Sequence, residues 1–110
     1  MLLEDVLYEI EFADAAIEHL RALTARQRLT VVDAIEEQLS HEPLVETRNR
    51  KPLRPNPIAA WELRVGLLRA FYDVTSPEAL SAQPSGVVRI MAIGKKERNV
   101  LRIGGEVINL

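Results

Sequence analysis

The basic residues of the C-terminal half are the side chains of this sequence best suited to chemistry. Arg64 and Arg69 lie in two segments of alternating polarity, and Lys95, Lys96 and Arg98 follow a third, apolar segment. If these segments are neighbouring strands, their cations converge on one side of a sheet. A guanidinium group binds phosphate oxygens in a planar fork and stabilises charge that develops in a transition state. The pattern therefore suits a scissile phosphate, and it leaves open a set of surface bases paired with acids of the helices.

Other catalytic schemes lack the residues that they need. The chain of 110 residues has no cysteine, which excludes a disulfide scaffold, a thiolate zinc finger and a cysteine nucleophile. His19 and His41 are too few for a three-histidine metal site, and neither has the spacing of a metal ligand. We interpret His19 as a helix-surface residue. No G-x-S-x-G elbow and no glycine-rich phosphate loop occurs, and we predict neither metal nor cofactor.

The formal charge of −2 conceals an uneven distribution. Residues 1–42 carry ten acidic and three basic side chains, and residues 43–110 carry six acidic and eleven basic ones. A basic face could bind phosphates or an acidic partner, although two solvated surfaces of opposite sign would give the same counts. No apolar run is long enough to span a bilayer. Acids near the N-terminus are unlike a secretory signal, so we predict a cytoplasmic protein without membrane contact.

The N-terminal part predicts one strand and a helical hairpin. Period-two alternation over 7–12 predicts a strand. A helix follows, with Asp14 as its cap and apolar side chains up to Leu23. Thr24 and Gln27 match the capping box of a second helix, which Pro43 closes.

The remainder predicts strands and turns. Residues 43–60 contain several prolines and predict a loop or extended arm. Strands at 61–65 and 68–74 form a hairpin, and 75–86 predicts a flexible loop. The most apolar strand, 87–93, is central and ends at Gly94. Gly104-Gly105 suits the turn of a terminal hairpin over 100–110. The expected fold is one α+β domain over 1–110, with two antiparallel helices packed on a mainly antiparallel sheet and a C-terminal β-hairpin.

Four elements of this chain form an ordered set. They are Lys51-Pro52-Leu53, Trp61-x-Leu63-Arg64-Val65-Gly66, Arg69 with Tyr72, and Ile93-Gly94-Lys95-Lys96. In order and spacing this set resembles the RelE/ParE superfamily of bacterial type II toxin–antitoxin toxins, over about residues 7–100. The element order predicted from the residues is also that of the superfamily.

The resemblance implies an endoribonuclease that cuts mRNA in the ribosomal A site without a metal. The RNA 2′-hydroxyl attacks the adjacent phosphate and leaves a 2′,3′-cyclic phosphate and a 5′-hydroxyl. Arg69 matches the arginine that stabilises the phosphorane, and Arg64 matches a base that activates or holds the backbone. Lys96 matches a basic residue that protonates the leaving oxygen or clamps the phosphate. We expect further phosphate contacts from Lys51, Arg54, Lys95 and Arg98.

Three features depart from the family pattern and leave other functions open. Glu62 stands where the family usually has a lysine, no tyrosine follows Tyr72, and the isoelectric point is about 5.7, whereas free toxins are usually strongly basic. We interpret Glu62 as an ion-pair partner of a base, with a general base as the alternative. The alternative functions are a ParE-like inhibitor of DNA gyrase and a non-toxic relic that only binds an antitoxin.

The resemblance also implies protein and RNA partners. A cognate antitoxin would cover Arg64, Arg69 and Lys95–Arg98 with the acidic residues of its tail, and the ribosome and mRNA would be the targets. The hairpin over 100–110 offers a strand edge for strand addition, or it simply extends the sheet and packs on the core.

Overall fold

The computed structural model describes residues 7–75 and 86–110. Its elements are β1 (Glu9–Phe12), α1 (Asp14–Arg21), α2 (Ala25–Leu39), β2 (Arg50–Pro52), β3 (Trp61–Val65), β4 (Leu68–Thr75), β5 (Val87–Glu97), β6 (Val100–Ile103) and β7 (Glu106–Ile108). The predicted fold class is confirmed. Most of the loop predicted at 75–86, namely 76–85, lies outside the described residues.

One seven-stranded sheet holds all the strands of the described residues, in the order β2-β3-β4-β5-β6-β7, with β1 on β5. Strand β5 is central, as predicted. One of its edges pairs antiparallel with β4, and its other edge is shared by two strands. The parallel β1 covers the first half, with Glu9 opposite Val87, and the antiparallel β6 covers the second half, with Glu97 opposite Val100.

Two backbone groups of β5, one at the end of the segment paired with β1 and one just before the segment paired with β6, bond to the N-cap of α1 and to a side chain of α1. The Ala13 N–H donates to the Ile90 carbonyl (2.8 Å), and the Ile93 N–H donates to Nδ1 of His19 (3.1 Å). The interpretation of His19 as a surface residue is therefore wrong, because its half-buried ring completes the edge of a strand. Burial lowers the pKa of His19, and the charge of Glu18 opposes that shift.

This hydrogen bond predicts a pH dependence of stability. Because the folded pKa of His19 lies below its ordinary value of 6.5, the unfolded chain takes up the proton first as the pH falls. The contribution of neutral His19 to stability is thus fully present above pH 6.5 and is lost as the pH falls through the folded pKa. We expect wild type to lose more unfolding free energy than His19→Asn between about pH 7.5 and about pH 5.5 in urea titrations.

The asparagine variant is a matched control because its amide oxygen can replace Nδ1 as acceptor without titrating. Glu18, Lys95 and Arg102 line the same groove as His19 and are unchanged in the variant. Parallel pH profiles for the two proteins would contradict the assignment.

The predicted capping box is present at the start of α2. The Gln27 N–H donates to the Thr24 hydroxyl, and the Thr24 N–H donates to the Gln27 side chain, both at 3.1 Å. The cap predicted at Asp14 is wrong, since Ala13 occupies the N-cap without a side-chain bond and Asp14 lies in the first turn. An acid there still interacts favourably with the helix dipole.

The helices pack on one face of the sheet around Tyr72. Side chains of α2, including Ile35 and Leu39, are fully buried in a cluster with Tyr72. The Tyr72 hydroxyl donates to the Pro43 carbonyl (2.7 Å), and its ring stacks on Trp61 with centroids 6.1 Å apart. Burial raises the pKa of Tyr72, and nearby Arg50 opposes the shift. The phenol therefore ties the segment after α2 to the sheet.

Two predicted boundaries are corrected. The arm at 43–60 contains the short edge strand β2, where Pro52 is tolerated because edge strands need fewer backbone donors. Strand β5 does not end at Gly94 but continues through Lys95 and Lys96 to Glu97. Within residues 7–75 and 86–110, no helix combines the length and apolar composition needed to cross a bilayer.

Candidate functional site

Strands β3 and β4 place two arginines and one acid on the sheet face away from the helices. Their register sets Arg64 opposite Arg69 and Glu62 opposite Phe71. Phe71 belongs to a second apolar cluster that contains no helix residue. Because residues directly opposite in an antiparallel pair share a face, the two arginines and the glutamate lie together there.

A cleft of about 350 Å³ opens on this face. Arg64 and Lys96 both line it, together with Glu62. Lys96 reaches the cleft because β5 pairs with β6 there and Lys96 lies opposite Leu101. The structure thus brings two of the three predicted catalytic residues to one cavity. Its remaining wall consists of Leu53, Asn99, Val100, Leu101, Val107, Ile108, Asn109 and Leu110.

Arg69, the third predicted catalytic residue, lies beside the cleft and is drawn back from it. Its side chain is only 14% exposed. Its Nη1 donates to the carbonyls of Gly66 (2.6 Å) and Leu68 (2.9 Å), at the turn between β3 and β4. Its buried Nε has no hydrogen-bond partner among residues 7–75 and 86–110. Burial lowers the pKa of Arg69, an effect that the charge of Glu62 opposes and that of Arg64 reinforces. Arginine nevertheless stays protonated in proteins.

Glu62 connects the two arginines. Its side chain is 10% exposed, and its Oε2 lies 2.8 Å from Nε of Arg64, while its Oε1 lies 4.0 Å from Nε of Arg69. The interpretation of Glu62 as an ion-pair partner agrees with this geometry. What the sequence did not indicate is that one buried carboxylate serves two arginines.

The run 95–98 does not converge as predicted. Successive residues of a strand point to opposite faces, so only Lys96 shares a face with Arg64. Lys95 lies opposite Leu68 and Arg102 and lines a groove beside His19 on the helix side. Arg98 is exposed in the turn between β5 and β6, with φ of 52°.

The predicted phosphate contacts of the arm lie near the edge strand. Lys51 is opposite Glu62 in the β2–β3 register, and its Nζ lies 3.4 Å from Oε2 of Glu46. Arg54 is exposed beyond β2 and does not line the cleft. The arm at 43–60 therefore supplies basic side chains around the cleft rather than inside it.

The apolar wall of the cleft was missed as part of the site. Val100, Val107 and Leu110 line it while keeping 36%, 54% and 48% of their surface exposed. The predicted Gly104-Gly105 turn, with φ of 61° and 83°, folds β7 back beside β6. The alternation around this turn could have revealed the wall. Among the described residues, no group of three or more histidine or acidic side chains could hold a metal ion.

The comparison with solved structures gives an informative match. A chain in the crystal structure of the toxin–antitoxin complex RelBE2 from Mycobacterium tuberculosis has a TM-score of 0.62 and 27% identity, with 83% of this chain and 100% of that chain covered. This chain has a RelE-like fold. The resemblance inferred from the sequence motifs is thereby confirmed. No protein-family model matches the sequence, and no curated protein matches it.

Within the RelE-like fold, the pairing of β3, β4 and β5 brings the cations of the site together. Strand β3 contributes Arg64, β5 contributes Lys96, and β4 between them carries Arg69. Three adjacent strands thus each supply one cation. Such an arrangement can hold an anion that has several oxygens, because more than one cation can donate to it.

Proposed function

We propose that this protein is the toxin of a type II toxin–antitoxin system and acts as a ribosome-dependent mRNA endoribonuclease. The likeness to RelBE2 supports the toxin assignment. The observation that best supports the nuclease is the cleft in which Arg64 and Lys96 meet beside Arg69. Three cations from adjacent strands suit a phosphate whose negative charge increases during reaction.

In the proposed reaction the RNA 2′-hydroxyl, whose proton passes to solvent, attacks the adjacent phosphorus, and the bond to the 5′-oxygen of the next nucleotide breaks. The products are a 2′,3′-cyclic phosphate and a 5′-hydroxyl. Arg69 would stabilise the phosphorane, Arg64 would hold or activate the backbone, and Lys96 would protonate the leaving oxygen or clamp the phosphate.

The other basic residues predicted to contact phosphates would act outside the cleft. Lys51, Arg54 and Arg98 surround it and could contact neighbouring phosphates of the mRNA or ribosomal RNA. Lys95 lies on the helix side, so a contact from it would need RNA that passes around the edge of the sheet.

The proposed protein partner is a cognate antitoxin. An acidic segment would neutralise Arg64 and Lys96 and prevent access to the ribosome. Strand β7 pairs with β6 on one side, and it ends the strand order of the sheet. Its outer edge is the place where an extended antitoxin segment could add a strand.

Cleavage of mRNA in a cell-free translation reaction tests the proposed function, with the 5′ ends mapped by primer extension. The adjacent lysines provide a matched pair, since both changes remove one charge but from opposite faces. Because a hydrogen bond to a charged group contributes about 1.5–3 kcal/mol, we expect Lys96→Ala to slow cleavage about 10- to 100-fold and Lys95→Ala to leave it nearly unchanged.

The outcomes separate the candidate functions. Cuts that appear only when ribosomes translate the message, and that depend on Lys96, support the nuclease. Intact mRNA and continued translation with folded protein would overturn it. Assays of gyrase supercoiling would then distinguish a gyrase inhibitor from a protein that only binds an antitoxin.

A further inference from the structure

The two arginines that flank Glu62 differ in their accessibility. The Arg64 side chain is 47% exposed, whereas those of Arg69 and Glu62 are 14% and 10% exposed. Glu62 lies between the two guanidinium groups, at 2.8 Å from one and 4.0 Å from the other. An anion that bridged both arginines would need the space that this carboxylate occupies.

We propose that the Glu62 carboxylate occupies a phosphate-binding subsite, and that a phosphodiester can bind Arg69 only by displacing this carboxylate. The proposal rests on the proposed function only in taking a nucleic-acid phosphate as the ligand. It adds that the subsite is closed in the free protein.

The hydrogen bonding of Arg69 indicates that the Glu62 carboxylate beside it can be exchanged for another anion. Its Nη1 donates to two backbone carbonyls, and its buried Nε has no hydrogen-bond partner in the part of the chain that the structure describes. The nearest carboxylate oxygen, at 4.0 Å, is too distant for a hydrogen bond. Buried donors are nearly always satisfied in native proteins, so this Nε is suited to an oxygen that comes closer than Glu62 does.

Electrostatics predict that removal of the Glu62 charge strengthens phosphate binding. A carboxylate and a phosphate offer the same kind of acceptor to a guanidinium group, and two anions between the same arginines repel each other. If Glu62 instead served only to orient Arg64 and Arg69 for the ligand, its removal would weaken phosphate binding. The two roles therefore predict opposite changes in affinity.

Binding of a fluorescein-labelled 2′-O-methyl oligouridylate, followed by anisotropy, tests the proposal. This probe lacks the free 2′-hydroxyl, so binding is measured without cleavage. The variants are Glu62→Gln, which keeps the shape of the side chain, and Glu36→Gln, which removes the same charge from an exposed position of α2.

We expect Glu62→Gln to tighten binding about tenfold, as for the removal of a repulsive charge from a partly desolvated site, and Glu36→Gln to change it less than about twofold. One additional phosphate contact should also steepen the dependence of log K on log salt by about 0.7, the value for single strands. In an Arg69→Ala background, Glu62→Gln should increase the affinity for the probe much less than tenfold.

Equal effects of the two glutamate variants, or weaker binding by Glu62→Gln in a protein whose thermal unfolding is unchanged, would overturn the proposal. Absence of probe binding by both wild type and Glu62→Gln would overturn it too. If Glu62→Gln does not fold, Glu62→Asp retracts the carboxylate and should tighten binding in the same direction, and unchanged binding would count against the proposal. The mRNA cleavage assay tests the nuclease independently of these results.

Discussion

Alanine in place of Arg69 is expected to reduce cleavage of translated mRNA by about 10²- to 10³-fold, the usual loss when one donor that stabilises transition-state charge is removed. Arg69 lies on the central member of the three cation-bearing strands. Its contribution would be greatest in the phosphorane, where the additional charge appears. The loss should therefore be larger in the rate of cleavage than in the affinity for the probe.

Single-turnover cleavage on programmed ribosomes measures this effect, with Arg69→Lys as the conservative variant. Lysine keeps the charge but lacks the planar fork, so its activity should fall between those of wild type and Arg69→Ala. The unfolding transition of each variant must be compared as well, because Arg69 also donates to the turn at Gly66. Cleavage by folded Arg69→Ala at the wild-type rate would remove Arg69 from the mechanism.

The second large effect concerns Tyr72, whose replacement with alanine should lower the free energy of unfolding by about 3–5 kcal/mol, as for other large aromatic residues in cores. The side chain is fully buried and contacts the face of Trp61. Its loss leaves a cavity between α2 and the sheet and also leaves the Pro43 carbonyl without its donor.

Urea denaturation measures the change, and Tyr72→Phe separates its two parts. Phenylalanine fills the space but removes the hydroxyl that donates to Pro43, so it should lower stability by about 1–3 kcal/mol, the penalty for an unsatisfied buried acceptor. A loss for Tyr72→Phe as large as that for Tyr72→Ala would mean that packing contributes little. That result would contradict the proposed arrangement of the core.

Much of the fold could be predicted because local signals coincide with its elements. Alternation over Trp61–Val65 and the turn at Gly66 define the β3–β4 hairpin, and Thr24 defines the start of α2. Strand β2 was missed because Pro52 conceals a three-residue edge strand.

Gly94 misled the prediction for a different reason. A Cβ on this residue would come within 2.9 Å of the Arg102 carbonyl and of a side-chain carbon of Ile103. The glycine permits the close approach of β6 rather than ending β5. That requirement depends on a strand that comes later in the chain, so neighbouring residues cannot reveal it.

The candidate site was predictable by residue type but only partly by position. The alternation of β3 and the turn at Gly66 suffice to place Arg64 opposite Arg69. The separation of Lys95 from Lys96 required the true length of β5. The burial of Glu62 between two arginines depends on three-dimensional packing, which no local pattern encodes.

The sharing of β5 between β1 and β6 has a consequence for biosynthesis. The β1–β5 pairing joins Glu9 to Val87, so the chain must close a long loop before the central strand can be completed. Such distant pairings fold slowly and leave apolar surface uncovered in the meantime. During translation, α1 emerges well before the strand on which it packs, and Arg64 emerges before Lys96. We therefore expect the nascent chain to lack an assembled cleft until β5 and β6 have left the ribosomal tunnel, which would delay the proposed cleavage of mRNA on the ribosome that is synthesising it.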